Sequence, residues 1–157
     1  MMEDSKEEKY AELIYNKILT EVAYPLLGNK TTYLSDLTKV GKKMLGSKYL
    51  GTFSSDQIQK LTPSQPYSIL NLDTSKESGS HWIAVALDTK TNKTVAYDSF
   101  GRSNIKIIPA LSKSDNGSIV DTDRDVEQDI LETDCGARSI AFLLLFDSFG
   151  VDIAKMI

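Results

Sequence analysis

The stretch "HWIAVALD", residues 81–88, limits the architecture more than any other part of this chain. In an extended backbone Ile83, Val85 and Leu87 point one way and Trp82, Ala84 and Ala86 the other. Both faces are therefore apolar, and such a strand has to be covered above and below. "YSILNL" (67–72) and "TVAYDSF" (94–100) are rich in β-branched and aromatic residues and supply neighbouring strands. A chain of 157 residues can build one such covered sheet around a core, within a single domain.

The cover has to come from helices. From Ser5 to about Tyr24 the pattern is helical, with Ser5 and Glu8 spaced as a capping box. Ile14, Ile18 and Val22 form the apolar stripe, widened by Leu19 and Leu26, and Pro25 with Gly28 marks the end. A second helix is expected near Ser35 in "SDLTKVGKKML". "YLGTFSSDQIQKL" (49–61) reads as part loop and part helix, capped at Ser54 or Ser55. "SNIKIIPAL" is ambiguous between helix and strand, "SKSDNGS" reads as a loop, and 119–128 reads as extended. From Cys135 to about Phe149 the chain is apolar nearly all round, which predicts a buried helix stopped at Gly150. Helices, then strands, then a buried helix point to an α+β domain.

Composition removes several classes. The net charge of −4 gives no global attraction to nucleic acid. The best basic cluster, Lys39, Lys42, Lys43 and Lys48, offers a local DNA contact at most and otherwise reads as a solvated helix face. The longest apolar run, Ile140–Phe146, is far short of the ~20 residues needed to span a bilayer. The first ten residues are charged where a signal peptide is apolar, and one cysteine cannot form an internal disulfide. The expected setting is the reducing interior of a cell. One Cys and one His cannot make a zinc site unaided. Asp121, Asp123, Asp125, Asp129 and Glu132 match calcium-loop positions, but Val126 stands where the turn needs Gly, and Gln128 where an apolar residue is usual. An acidic solvated loop is the expectation there, with no metal.

The remaining chemistry centres on Cys135. A reactive cysteine works as a thiolate, and a helix N-terminus stabilises negative charge. Thr133 and Asp134 are both N-cap residue types, which sets Cys135 in the first turn, with Gly136 beside it allowing close approach. By itself the residue reads equally as a small buried hydrophobe. A nucleophile needs a base, and His81 is the only imidazole. The base needs an orienting group, and Asp98, an acid at the end of an apolar strand, is the candidate. If 81–88 and 94–98 form a hairpin, a loop of two or four residues puts His81 and Asp98 on one face, and an odd loop separates them unless a bulge intervenes. Acyl transfer also needs donors for an oxyanion; the Cys135 N–H and the Gln128 amide are the candidates.

This ordered set resembles a known family. His-Trp at a strand start, an acid 17 residues on followed by Ser-Phe-Gly, then Q-x6-C-G opening an apolar helix, is similar to the adenovirus-type maturation cysteine proteases. That family is related to the SUMO- and ubiquitin-like-deconjugating cysteine proteases. Residues 79–101 resemble its His-to-acid hairpin, "YLGTF" (49–53) a segment upstream, and 128–142 its Gln-to-Cys segment, so the likeness spans about 45–147. The resemblance implies a papain-like α+β fold with a central mixed sheet, a buried helix carrying the catalytic Cys, and flanking helices. It implies Cys135 as nucleophile, His81 as general base and then acid, Asp98 as its orienter, and Gln128 with the Cys135 N–H as oxyanion hole. Trp82, Gly79 and Gly136 would line a narrow substrate groove, with cleavage near Gly-Gly or Gly-x-Gly. His precedes Cys, the reverse of papain, which is no obstacle because such sites are defined by geometry.

The resemblance further implies viral capsid or other structural precursors as substrates, in a virophage, a polinton-like element or another double-stranded DNA virus. The enzyme would act in host cytoplasm or nucleus during assembly, be packaged in the virion, and work as a monomer. Members of that family are stimulated by DNA and by a peptide that can be disulfide-linked to a second cysteine. This chain has no second cysteine, and its acidity argues against DNA. Three other readings stay open on the residues: a deconjugase of ubiquitin-like proteins, an acetyltransferase using the same His/acid/Cys set, and a non-catalytic interaction domain.

Overall fold

The computed structural model describes residues 5–28, 33–71, 81–99, 119–122 and 134–157. Among the described residues five strands form one mixed sheet in chain order: β1 (Tyr49–Phe53), β2 (Tyr67–Asn71), β3 (Trp82–Asp88), β4 (Lys93–Tyr97) and β5 (Ile119–Asp121). The β2–β3 and β3–β4 pairs are antiparallel, and β1–β2 and β4–β5 are parallel. β3 is central and buried along its whole length, as its two-sided apolar pattern requires.

Each face of β3 has its own cover. On the first, helix α4 (Cys135–Phe149) packs with Trp82, Ala84 and Ala86 of β3, and Tyr67, Ile69, Val95 and Tyr97 of its neighbours. Ala84 and Ala86 present only methyl groups, which lets the helix approach the sheet closely. On the second face Leu70, Ile83, Val85, Leu87 and Ala96 meet Ile58 and Leu61 of the β1–β2 connection. That connection corrects the expectation for 49–61. "YLGTF" is β1, and residues 54–61 form turns and irregular chain with no helix. Ile58 and Leu61 spend their apolar surface on the sheet rather than on a helix stripe.

The N-terminal helix also departs from its predicted stripe. α1 (Lys6–Ile18) is capped by Ser5, whose hydroxyl accepts the Glu8 N–H at 3.1 Å. It continues through a π-helical turn, Leu19–Ala23, into α2 (Tyr24–Leu27), ending at Gly28 with φ +76°. The buried positions are Ala11, Tyr15, Leu19, Ala23 and Leu27, with Ile14, Ile18 and Val22 only half-buried and Leu26 exposed. A strict four-residue spacing overshoots a full α-helical turn by about 40° at each step. The wide turn takes up part of that drift, so one stripe faces the core throughout. It also carries the chain past Pro25, which has no N–H to give. The Tyr24 N–H bonds the Leu19 carbonyl five residues back, and the helix does not end at the proline.

α3 (Leu34–Leu45) packs against β1 and α4 through Leu37, Val40, Gly41 and Leu45. Gly41 lies flat against the Tyr49 ring: a Cβ there would sit 2.4 Å from a ring carbon. Tyr49 is fully buried and its hydroxyl is bonded to Thr52, so the ring has nowhere to move. Gly41→Ala is therefore expected to cost ~1–3 kcal/mol. Urea unfolding should show a lower midpoint with an unchanged slope. α4 ends at Gly150, φ +87°, as expected, and α5 (Val151–Ala154) leads to the buried Ile157. The result is an α+β architecture built on a mixed sheet. Residues 103–118, read above as an ambiguous apolar stretch and a loop, lie outside the described residues.

Candidate active site

Three elements converge at one end of the β3–β4 hairpin. Asp88 pairs with Lys93 and Ala84 with Tyr97, which leaves a four-residue turn of Thr89, Lys90, Thr91 and Asn92. The Asp88 carboxylate accepts the Lys90 N–H (3.2 Å) and the Thr91 hydroxyl (2.7 Å), and Asn92 takes φ +58°. Those residue types suit the left-handed and side-chain-bonded positions of a tight turn. An even loop is the condition for His81 and Asp98 to share a face, and it is met. His81 precedes β3 directly and Asp98 follows β4 directly. His81 Nε2 lies 2.7 Å from Asp98 Oδ1, with the side chains 5% and 0% exposed.

Cys135 is the first residue of α4 and is 6% exposed. The Trp82 N–H donates to its Sγ at 3.4 Å, a contact that is stronger to a thiolate than to a thiol. The Ser139 hydroxyl donates to the Trp82 carbonyl at 3.4 Å, so the helix start is tied to the strand start on both sides of one residue. His81 is hydrogen-bonded to Asp98, and both Asp98 and Cys135 act on its proton. With Nε2 held by Asp98, Nδ1 is the ring nitrogen left to take the thiol proton. Burial pushes the His81 pKa down, but the hydrogen bonds and negative charge of Asp98 and Cys135 outweigh it and raise it above its ordinary 6.5. The arrangement can move a proton from sulfur to imidazole while the carboxylate steadies the cation.

The other predicted residues fall as follows. Gly136 is buried in the first turn of α4. Trp82 belongs to the main core cluster, 5% exposed, and touches Cys135 through its backbone. Gln128 and Gly79 lie outside the described residues, as do Asp123, Asp125, Asp129 and Glu132. Asp121 is in β5, paired near Ala96, where a calcium loop would begin beside a helix. Among the described residues no group of three or more His, Cys, Asp or Glu could hold a metal, and no helix is long and apolar enough to cross a membrane. All four lysines of the basic cluster are exposed. Lys42 donates to the Tyr49 carbonyl (2.8 Å), and Lys48 pairs with Asp147 (3.0 Å), so half of the cluster is already engaged within the protein.

Sequence reasoning missed a buried polar network beside the thiol. Asp134 is the N-cap of α4, yet its carboxylate does not cap the helix. It accepts the Tyr24 hydroxyl (2.5 Å) and Arg138 Nε (3.1 Å). The legible signal was an Asp and an Arg four apart at the head of an otherwise apolar helix.

A buried cysteine at a helix start, tied to the residue after an imidazole that is itself held by a carboxylate, on this α+β frame, suits a cysteine peptidase. The family model for the adenovirus endoprotease matches residues 49–155. The chain is a member of that family, and hence a peptide hydrolase. No curated protein matches it.

Proposed function

We propose that the protein is a viral maturation endopeptidase of papain-like fold, contained in one domain, with Cys135, His81 and Asp98 as its triad. The observation that carries this reading is the buried His81–Asp98 contact at 2.7 Å, with Cys135 Sγ held against the next residue by the Trp82 N–H. His81 takes the thiol proton as Sγ attacks the scissile carbonyl carbon. The carbonyl oxygen becomes an oxyanion held by the Cys135 N–H and the Gln128 amide. Collapse of this intermediate breaks the C–N bond, and His81 delivers the proton to the leaving amine. The thioester is then hydrolysed: His81 draws a proton from water, hydroxide adds to the acyl carbon, and the thiolate leaves. Trp82, Gly79 and Gly136 would line a groove for small residues, directing cleavage near Gly-Gly or Gly-x-Gly. The substrates are capsid and other structural precursors, which places the enzyme in the infected cell and in the virion. DNA contact through Lys39 and Lys43, with Lys42 and Lys48, is the weaker part of this reading, because the chain carries a net charge of −4.

The test is mass spectrometry of virion proteins made with wild type and with Cys135→Ala. Precursors should persist uncut in the variant, and wild-type cut sites should follow small residues. If precursors mature normally without Cys135 while ubiquitin-like conjugates are cleaved by the wild type in vitro, the deconjugase reading replaces this one.

A further inference from the structure

We infer that Tyr24, Asp134, Arg138 and Tyr15 form a positioning network through which the N-terminal helices set the geometry of the relay. The inference rests on the reading of Cys135 as nucleophile. Asp134 immediately precedes Cys135 and holds a buried ion pair with Arg138, the side chains 4% and 11% exposed. An N-cap aspartate usually turns onto the first-turn N–H groups of its own helix. That would put a carboxylate charge against the sulfur and occupy donors that a thiolate or oxyanion can use. Here the carboxylate is turned away, its charge offset by Arg138 and its Oδ2 bonded by the Tyr24 hydroxyl. Asp134 Oδ1 is buried with no hydrogen bond among the described residues, so Oδ2 carries the clamp.

Arg138 continues the network to Tyr15, to which it is hydrogen-bonded. Burial works against the guanidinium charge, and Tyr15 and Asp134 more than restore it. The Tyr15 and Tyr97 hydroxyls share a 2.6 Å hydrogen bond, and Tyr97 immediately precedes Asp98. One buried network thus holds the chain neighbours of both ends of the relay, Asp134 beside Cys135 and Tyr97 beside Asp98. Two of its members, Tyr15 and Tyr24, lie ahead of residue 49, where the family match begins. A buried ion pair contributes little net stability compared with apolar residues of the same volume. What this one supplies is placement: it fixes the start of α4 against the N-terminal helices.

The test compares the full-length wild type with Tyr24→Phe, Tyr15→Phe, Arg138→Lys and Arg138→Met. The readouts are the rate of Cys135 alkylation by iodoacetamide across pH, kcat and KM on a fluorogenic peptide ending in Gly-Gly, and the melting temperature. Tyr24→Phe, which removes one oxygen and keeps the ring, should slow alkylation at neutral pH about fivefold. It should lower kcat about tenfold, leave KM unchanged, and move the melting temperature by only a few degrees. Arg138→Lys should recover part of what Arg138→Met loses. Tyr24→Phe decides the matter if Arg138→Met does not fold. If Tyr24→Phe alkylates and turns over like wild type, and only its melting temperature falls, the network is merely structural and the inference is overturned. A wild type whose thiol resists iodoacetamide until unfolded would instead overturn the nucleophile reading itself, and the network inference with it. The two failures are distinguishable because the second is seen before any variant is compared.

Discussion

His81→Ala is expected to lower kcat/KM by ~10³-fold or more and to slow alkylation of Cys135 at neutral pH. The imidazole is bonded to Asp98 and is acted on by Cys135, and the chain has no second histidine to substitute. Alanine also deprives the buried Asp98 carboxylate of its imidazole donor, which destabilises the fold. His81→Gln separates the two effects: its amide can still donate to Asp98 but cannot carry a proton, so stability should recover and activity should not. Asp98→Asn acts on the same proton. It removes the negative charge and leaves only a neutral, weaker acceptor for the His81 N–H; charge and bond both raise the His81 pKa, so that pKa should fall. The acid limb of kcat/KM, which reports loss of the imidazolium proton to give the base, should move to lower pH.

Linkage gives a second readout of the same shift. The folded-state pKa of His81 lies above the unfolded value near 6.5. Protonated His81 therefore contributes its full share of stability below about pH 6.5, and loses it as pH rises through the folded value. The stability gap between wild type and His81→Gln should be widest in acid and narrow as pH rises. Urea titrations at several pH values measure it. A gap that widens with pH would contradict the raised pKa.

Phe142→Ala should produce the largest loss of stability, ~3–5 kcal/mol. The ring is fully buried in α4 and stacks on Tyr97 with centroids 4.7 Å apart and planes 4° from parallel. It also meets Phe146 at 6.2 Å. Its removal opens a cavity between helix and sheet that the rigid β4 backbone cannot fill. The melting temperature should fall by ~10 °C. Tyr97 leads directly into Asp98, so activity below the melting transition should fall as well. Phe142→Leu, which refills much of the volume, should restore part of both. If stability drops and activity per folded molecule is unchanged, the Tyr97–Phe142 stack plays no part in holding Asp98.

Much of the frame was legible because it rests on local patterns. The two-sided apolarity of 81–88 required a central strand, and β3 is one. The apolar run after Cys135 required a buried helix, and α4 spans Cys135–Phe149 with Gly150 at its end. The N-terminal stripe is not legible locally, because Ile and Val outweigh Ala and Tyr on any hydropathy count. The core instead selected Ala11, Tyr15 and Ala23, for fit and for the Tyr15–Tyr97 hydrogen bond. The conformation of "YLGTF" and the chain after it is not legible either, because nothing local distinguishes apolar residues in or covering a sheet from those on a short helix.

The sequence by itself determined which residues could do the chemistry, since a chain with one Cys and one His leaves no choice, and which segments had to be interior. The tertiary structure decided whether those residues meet. The His81–Asp98 contact depended on the parity of a turn, and the composition of "TKTNK" permits either parity. Where the Asp134 carboxylate points depended on Tyr24, 110 residues away in the chain. Contacts across such separations depend on how elements pack, and no local pattern encodes them.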